Sequence, residues 1–276
     1  MRILIALAAL VLSACQTEPT KTVESTKRDL EQIVVKASQP IILSENTVVL
    51  DVRSNFDFGL NHIPNSRNYS WQSIAEGSAS SEPLRDRQKA AMRLALLGLT
   101  PSTPVVIVGY GQAGHAEEGR LALDLLALGF KDVQVSSIEA FRKTMTPSEN
   151  PPVMNEKPWE VRPREDLRIT GQEFESLAKA GDKKVHVIDV RSEEEFLGKD
   201  SKKYEATNIE WKHFYNKEGR PDPLIKAKLA ALGIKPDDRV ILLCRSGVRS
   251  SAATYALRAL GFENAQSLTS GLNGLK

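Results

Sequence analysis

Three blocks of this chain occur twice, in the same order. VVLDVRSNFDF at 48–58 matches HVIDVRSEEEF at 186–196, which aligns Asp51 with Asp189. LALLGLTPSTPVVIVG at 94–109 matches LAALGIKPDDRVILLC at 229–244, and LALDLLALGFKDVQV at 121–135 matches ATYALRALGFENAQS at 253–267. Ordered self-similarity of this kind implies a duplicated domain. The 276 residues then divide into a first domain at 29–144, a linker at 145–166 and a second domain at 167–276. Five prolines in TPSENPPVMNEKPWEVRPRED, at 146–166, disfavour regular structure in the linker.

Each copy reads as α/β. Val48–Val52, Val105–Val108, Val185–Val190 and Val240–Leu243 are short apolar runs rich in β-branched residues, suited to buried strands. Arg120–Leu128 and Ser250–Leu260 have helical spacing, and each runs into Leu-Gly-Phe, where the glycine suits a helix C-terminus. Strands alternating with helices predict a mostly parallel twisted sheet flanked by helices in each domain.

The N-terminus has a different character. MRILIALAALVLSAC has one positive charge at Arg2 and an apolar stretch from Ile3 to Leu12. The stretch is too short to span a bilayer and has the length of a signal-peptide core. Its end, Leu12-Ser13-Ala14-Cys15, resembles a bacterial lipobox, which implies lipid attachment to Cys15 and removal of residues 1–14. Residues 15–28 then form a polar tether. With Gln16 after the cysteine, the resemblance favours a membrane-anchored lipoprotein of the outer membrane that faces the periplasm. A net charge of +2, with no basic stripe, argues against a nucleic-acid partner.

The chain has two cysteines. If Cys15 carries lipid, Cys244 is left as an unpaired thiol in an exported protein, a pattern that marks reactivity. A buried packing cysteine is the alternative. The surroundings favour reactivity: an apolar run, then Cys244-Arg245-Ser246-Gly247-Val248-Arg249, then a helix. At the C-terminal end of a parallel strand, such a loop turns its N–H groups inward to form a nest for an anion. Gly247 permits the tight path, and Ser250 and Ser251 suit the helix start. Arg245 and Arg249 would draw a charged substrate. The four histidines, His62, His115, His186 and His213, lack ligand spacing and predict no metal site, and the surface is the expected place for His115.

These motifs resemble the rhodanese family of sulfurtransferases. The loop Cys-Arg-Ser-Gly-Val-Arg, the Asp-Val-Arg strand ends at 51–53 and 189–191, and His62-Ile63-Pro64 carry the resemblance across residues 29 to 276. It implies two tandem rhodanese-like domains, the second active and the first, with Gly109 opposite Cys244, lacking the nucleophile. It implies Cys244 as the catalytic residue and a donor bound by Arg245, Ser246, Gly247, Val248 and Arg249. Asp189 and Arg191 take a structural role. The implied reaction moves sulfur from an anionic donor, thiosulfate or 3-mercaptopyruvate, through a Cys244 persulfide to cyanide or a thiol. It needs no cofactor. Domain 2 departs from the family pattern in GKDSKKYEATNIEW at 198–211 and in its short end after SGLNGL. Two other readings stand beside this one. A phosphatase of related fold would use a seven-residue Cys-x5-Arg loop, whereas Cys244 to Arg249 spans six. A non-catalytic sulfur or redox sensor, or a binding module, would modify Cys244 without turnover.

Overall fold

A computed structural model describes residues 40–76, 82–147, 156–182, 184–197 and 202–275. The signal segment, Cys15, the tether and the first residues of domain 1 lie outside the described residues. Among those described, no helix is long and apolar enough to cross a membrane.

In domain 1, β1 (Val48–Asp51) leads to α1 (Asn55–Leu60) and β2 (Arg67–Asn68). Then come α2 (Arg87–Ala95), β3 (Val105–Gly109), α3 (Glu117–Ala127) and β4 (Val133–Ser137). The strand order is β2-β1-β3-β4. Domain 2 contains β5 (Arg168–Ile169), α4 (Gly171–Ala180), β6 (Val185–Asp189), α5 (Glu193–Phe196) and β7 (Thr207–Asn208). It closes with α6 (Leu224–Ala231), β8 (Arg239–Leu243), α7 (Val248–Ala259) and β9 (Ala265–Leu268). Its order is β5-β9-β8-β6-β7. Every pair of named strands is parallel. The matched apolar runs form β1 and β3 in one sheet and β6 and β8 in the other, all interior strands, which is why they carry β-branched side chains on both faces. Both long helices end on a leucine followed by a glycine in the left-handed region, Gly129 at φ 95° and Gly261 at φ 92°.

The two sheets share one apolar core. Leu121, Ala122 and Leu125 of α3 join Ala252, Ala253 and Ala256 of α7 in a single buried cluster. The helices approach so closely that a Cβ on Gly119 would stand 2.8 Å from Ala252 Cα and collide with the Tyr215 hydroxyl. Small residues at the crossing permit this. Tyr215 Oη donates to Ala252 O at 2.6 Å, and Tyr255 Oη of domain 2 donates to Val133 O of domain 1 at 2.8 Å. The described linker residues lie along domain 1. Glu156 N donates to Ala95 O at 2.9 Å, Arg164 N to Ala127 O at 2.9 Å and Trp159 Nε1 to Leu128 O at 3.3 Å.

Candidate active site

Cys244 follows the last residue of β8, and its side chain is buried. Sγ accepts from Gly247 N at 3.1 Å and from Ser250 N at 3.4 Å, and lies 3.5 Å from Ser250 Oγ. The amides come from the turn into α7 and from its first turn, so helix dipole and loop N–H groups converge on the sulfur. Gly247 takes φ 96°, and a Cβ there would collide with the carbonyl oxygen of Thr269. Only glycine satisfies both conditions.

The sequence places serines at the start of this helix, but Gly247 caps it and α7 begins at Val248. Ser250 and Ser251 turn inward instead. Ser250 Oγ hydrogen-bonds Ser267 Oγ at 2.9 Å while facing the thiol, and Ser251 Oγ donates to Gly247 O at 2.6 Å. Ser250 is therefore a thiol-facing residue that sequence reasoning assigned only to the helix end. A second turn locks the loop from outside. Leu272 N donates to Cys244 O at 2.8 Å and Asn273 N to Arg245 O at 3.0 Å. Gly271, at φ 57°, leaves no space for a side chain, since a Cβ would stand 2.5 Å from Cys244 O. The short SGLNGL segment thus serves as the loop's outer clamp.

The loop residues expected to bind the donor differ in freedom. Arg245 is exposed, and no ion pair of its side chain is seen among the described residues. Ser246 and Val248 are half-buried. Arg249 is engaged: Nη1 and Nη2 donate to Glu195 Oε2 and Oε1 of α5 at 2.6 and 2.8 Å. Those hydrogen bonds bring the Glu195 carboxyl down to about 2 and raise Arg249 above its ordinary range. The paired arginine and the exposed one were indistinguishable in sequence.

Asp189 and Arg191 form a buried fork. Arg191 Nε donates to Asp189 Oδ1 at 3.0 Å and Nη2 to Oδ2 at 2.7 Å. Asp51 and Arg53 repeat it at 3.0 and 2.7 Å in the domain without a nucleophile. Its presence in both copies ties it to the fold. Asn208 Nδ2 donates to Asp189 O and Arg191 O at 2.9 and 3.0 Å, and Asn68 does the same for Asp51 and Arg53. These asparagines complete a strand-end lock, and the repeat Arg67-Asn68 against Thr207-Asn208 was too short to flag them.

Domain 1 fills the nucleophile's place with a carboxyl group. In the register of the matched helices, Glu118 stands where Ser250 does. A Cβ on Gly109 would lie 2.7 Å from Glu118 Cδ. Glu118 Oε1 accepts from Gly111 N at 2.7 Å. Burial pushes this carboxyl up to about 7, against the pull of the Gly111 amide. His115 is exposed, as expected, and His62 stacks on Phe58 with ring centroids 4.1 Å apart. Asn65, just after His62-Ile63-Pro64, takes φ 63° in the left-handed region. Among the described residues no group of three or more His, Cys, Asp or Glu could hold a metal.

Comparison with known proteins identifies the fold and the family. A rhodanese-like domain model matches twice, at residues 36–140 and 172–276. A Haloferax volcanii protein described as a putative thiosulfate sulfurtransferase is 35% identical over 118 residues, 37% of this chain and 40% of that protein. The chain thus spans under half the length of this curated relative. The crystal structure of a probable thiosulfate sulfurtransferase aligns with a TM-score of 0.58 at 24% identity, over 83% of this chain and 94% of that one. SseA from Escherichia coli, a 3-mercaptopyruvate sulfotransferase, aligns with a TM-score of 0.67 at 16% identity, over 88% and 97%. At such identities these structures establish the fold. With both domains matched by the family model, the chain belongs to the rhodanese-like domain family, as two tandem copies of which only the second carries the cysteine.

Proposed function

We propose that the protein is a sulfurtransferase that carries sulfur on Cys244. The observation that carries this reading is the convergence of the Gly247 and Ser250 amides on Sγ. A cradle of N–H groups favours a thiolate, and equally the persulfide anion that replaces it. In the first step the Cys244 thiolate attacks the outer sulfur of thiosulfate. The S–S bond of the donor breaks, and sulfite leaves with the electron pair. In the second step cyanide or an acceptor thiolate attacks the outer sulfur of the persulfide, and the Cys244 thiolate departs. No proton or electron is left over in either step.

Arg245 is the exposed cation beside the loop and suits an anionic donor, thiosulfate or 3-mercaptopyruvate. The names of the Haloferax relative and of the aligned structures support both donor classes. A covalent enzyme intermediate requires ping-pong kinetics: double-reciprocal plots against thiosulfate at several cyanide concentrations should be parallel. Intersecting lines would exclude a free persulfide enzyme. Stoichiometric modification without turnover would instead favour a sulfur sensor.

We propose also that Cys15 is the lipid anchor and that the folded domains face the periplasm from the outer membrane. The apolar segment ending in Leu12-Ser13-Ala14-Cys15 supports this. Expressed with a labelled fatty acid, the chain should incorporate it, and Cys15→Ser should not; label retained in the variant would refute the anchor.

A further inference from the structure

Arg120 sits on α3 of domain 1, the copy without a nucleophile, and its side chain is wholly buried at the domain interface. Nε donates to Asp124 Oδ2 at 2.9 Å, and the guanidinium lies 5.0 Å from the Trp71 ring centroid. Asp124 Oδ1 accepts from a second arginine, Arg168 of domain 2, at 2.7 Å. Two guanidinium groups share one carboxylate in a buried place. Such an arrangement is costly and contributes little to net stability compared with apolar packing. Helices that already meet through glycine and alanine do not need it.

One contact of Arg120 points to the active site. Nη1 crosses into domain 2 and makes a long hydrogen bond, 3.5 Å, to the carbonyl oxygen of Gly247. The Ser251 hydroxyl and backbone N–H hold the same oxygen from within domain 2 at 2.6 and 3.2 Å, so Arg120 adds the contact that comes from domain 1. Gly247 is the loop residue with the widest backbone freedom. Because a trans peptide is planar, fixing its carbonyl on the domain 1 side turns the Val248 N–H to the opposite side. A second contact reaches the outer clamp. Ser270 Oγ donates to Glu82 Oε1 of domain 1 at 3.0 Å, next to Gly271, where the clamp touches Cys244 O.

We propose that Arg120 is a positioning residue for the catalytic loop, so that the domain without a nucleophile helps to set the active-site geometry of the other. The catalytic part of this inference rests on the sulfurtransferase reading; the loop-ordering part does not. Arg120→Met, Arg120→Lys and Ser251→Ala in the full chain test it, each assayed well below its own melting temperature. Arg120→Met is expected to lower kcat about tenfold with the thiosulfate KM within about twofold, because misplacement affects the reacting geometry rather than binding. Arg120→Lys should recover part of the loss. Arg120→Met combined with Ser251→Ala should cost less than the product of the single effects, since both act on one carbonyl.

Hydrogen exchange gives a readout independent of sulfur transfer. Amides at 247–250 should exchange at least several-fold faster in Arg120→Met, while β8 and the middle of α3 keep their rates. A lowered melting temperature with kcat and loop exchange unchanged would overturn the proposal. If the wild type transfers no sulfur, the sulfurtransferase reading fails, and loop exchange alone then upholds or overturns the positioning. Should Arg120→Met fail to fold, Arg120→Lys and Arg120→Gln decide: loop exchange at 247–250 unchanged in both means that Arg120 does not order the loop.

Discussion

Arg245 and Arg249 lie four residues apart on one loop but meet different fates. Arg249 is tied to Glu195 by two hydrogen bonds, whereas Arg245 faces solvent. Of these two arginines, Arg245 is the one exposed to a donor anion. Arg245→Ala should therefore raise the thiosulfate KM about tenfold, on the order of one charge-assisted contact, with kcat changed far less. Steady-state kinetics over a range of thiosulfate concentrations checks it. Glu118 makes a second prediction at this scale. Its carboxyl is raised from 4.5 to about 7 by burial in the folded chain. Below pH 4.5 it is neutral folded and unfolded, and costs nothing. Between pH 4.5 and about 7 the unfolded chain ionises this acid while the folded protein keeps it protonated, and above 7 both are ionised and the loss is complete. Stability is thus lost over that window, by up to about 3 kcal/mol. Glu118→Gln keeps an acceptor for the Gly111 amide and should remove this part of the pH dependence, measured as urea midpoints from pH 5 to 8.

Among the elements, the strand-to-helix turn after β8 bears the greatest constraint. Its inner face is set by Gly247 at φ 96° and its outer face by Gly271 at φ 57°. Gly247→Ala combines a left-handed alanine with a collision at Thr269 O, and should destabilise the domain by about 2 kcal/mol or more. Chemical denaturation measures the loss. The loop's place between β8 and α7 was legible in sequence because an apolar run, a glycine-bearing turn and a helical pattern follow one another there. The central strands were legible for the same kind of reason, since β-branched runs repeat in both copies. Helix ends were less so: α7 starts two residues before the serines, because a glycine in the left-handed region can cap where a side chain cannot fit. Ser250 was placed in the right element and given the wrong task. Its role depends on which way a first-turn side chain points, and spacing does not encode that.

The two domains act as one body. Duplication predicted two like folds but not how they meet, because the crossing of α3 and α7 brings together Gly119 and Ala252, residues with no shared pattern in sequence. Gly119→Val should drive a side chain into Ala252 and the Tyr215 hydroxyl, separate the helices and lower the melting temperature by several degrees in calorimetry. The carboxyl plug in domain 1 was equally hidden. It is visible only once the loop after β3 is folded and Glu118 occupies the space beside Gly109. Duplication has left one anion cradle facing a thiol and closed the other with the chain's own acid.

In the proposed reaction Cys244 accepts and releases a sulfur atom. Intact mass spectrometry of the purified protein after incubation with thiosulfate tests it most directly, with Cys244→Ser as control. A gain of one sulfur atom, absent from the control and removed by cyanide or a thiol, is the expected result. An unchanged mass with thiosulfate and with 3-mercaptopyruvate, in a protein whose Cys244 still alkylates, would contradict it.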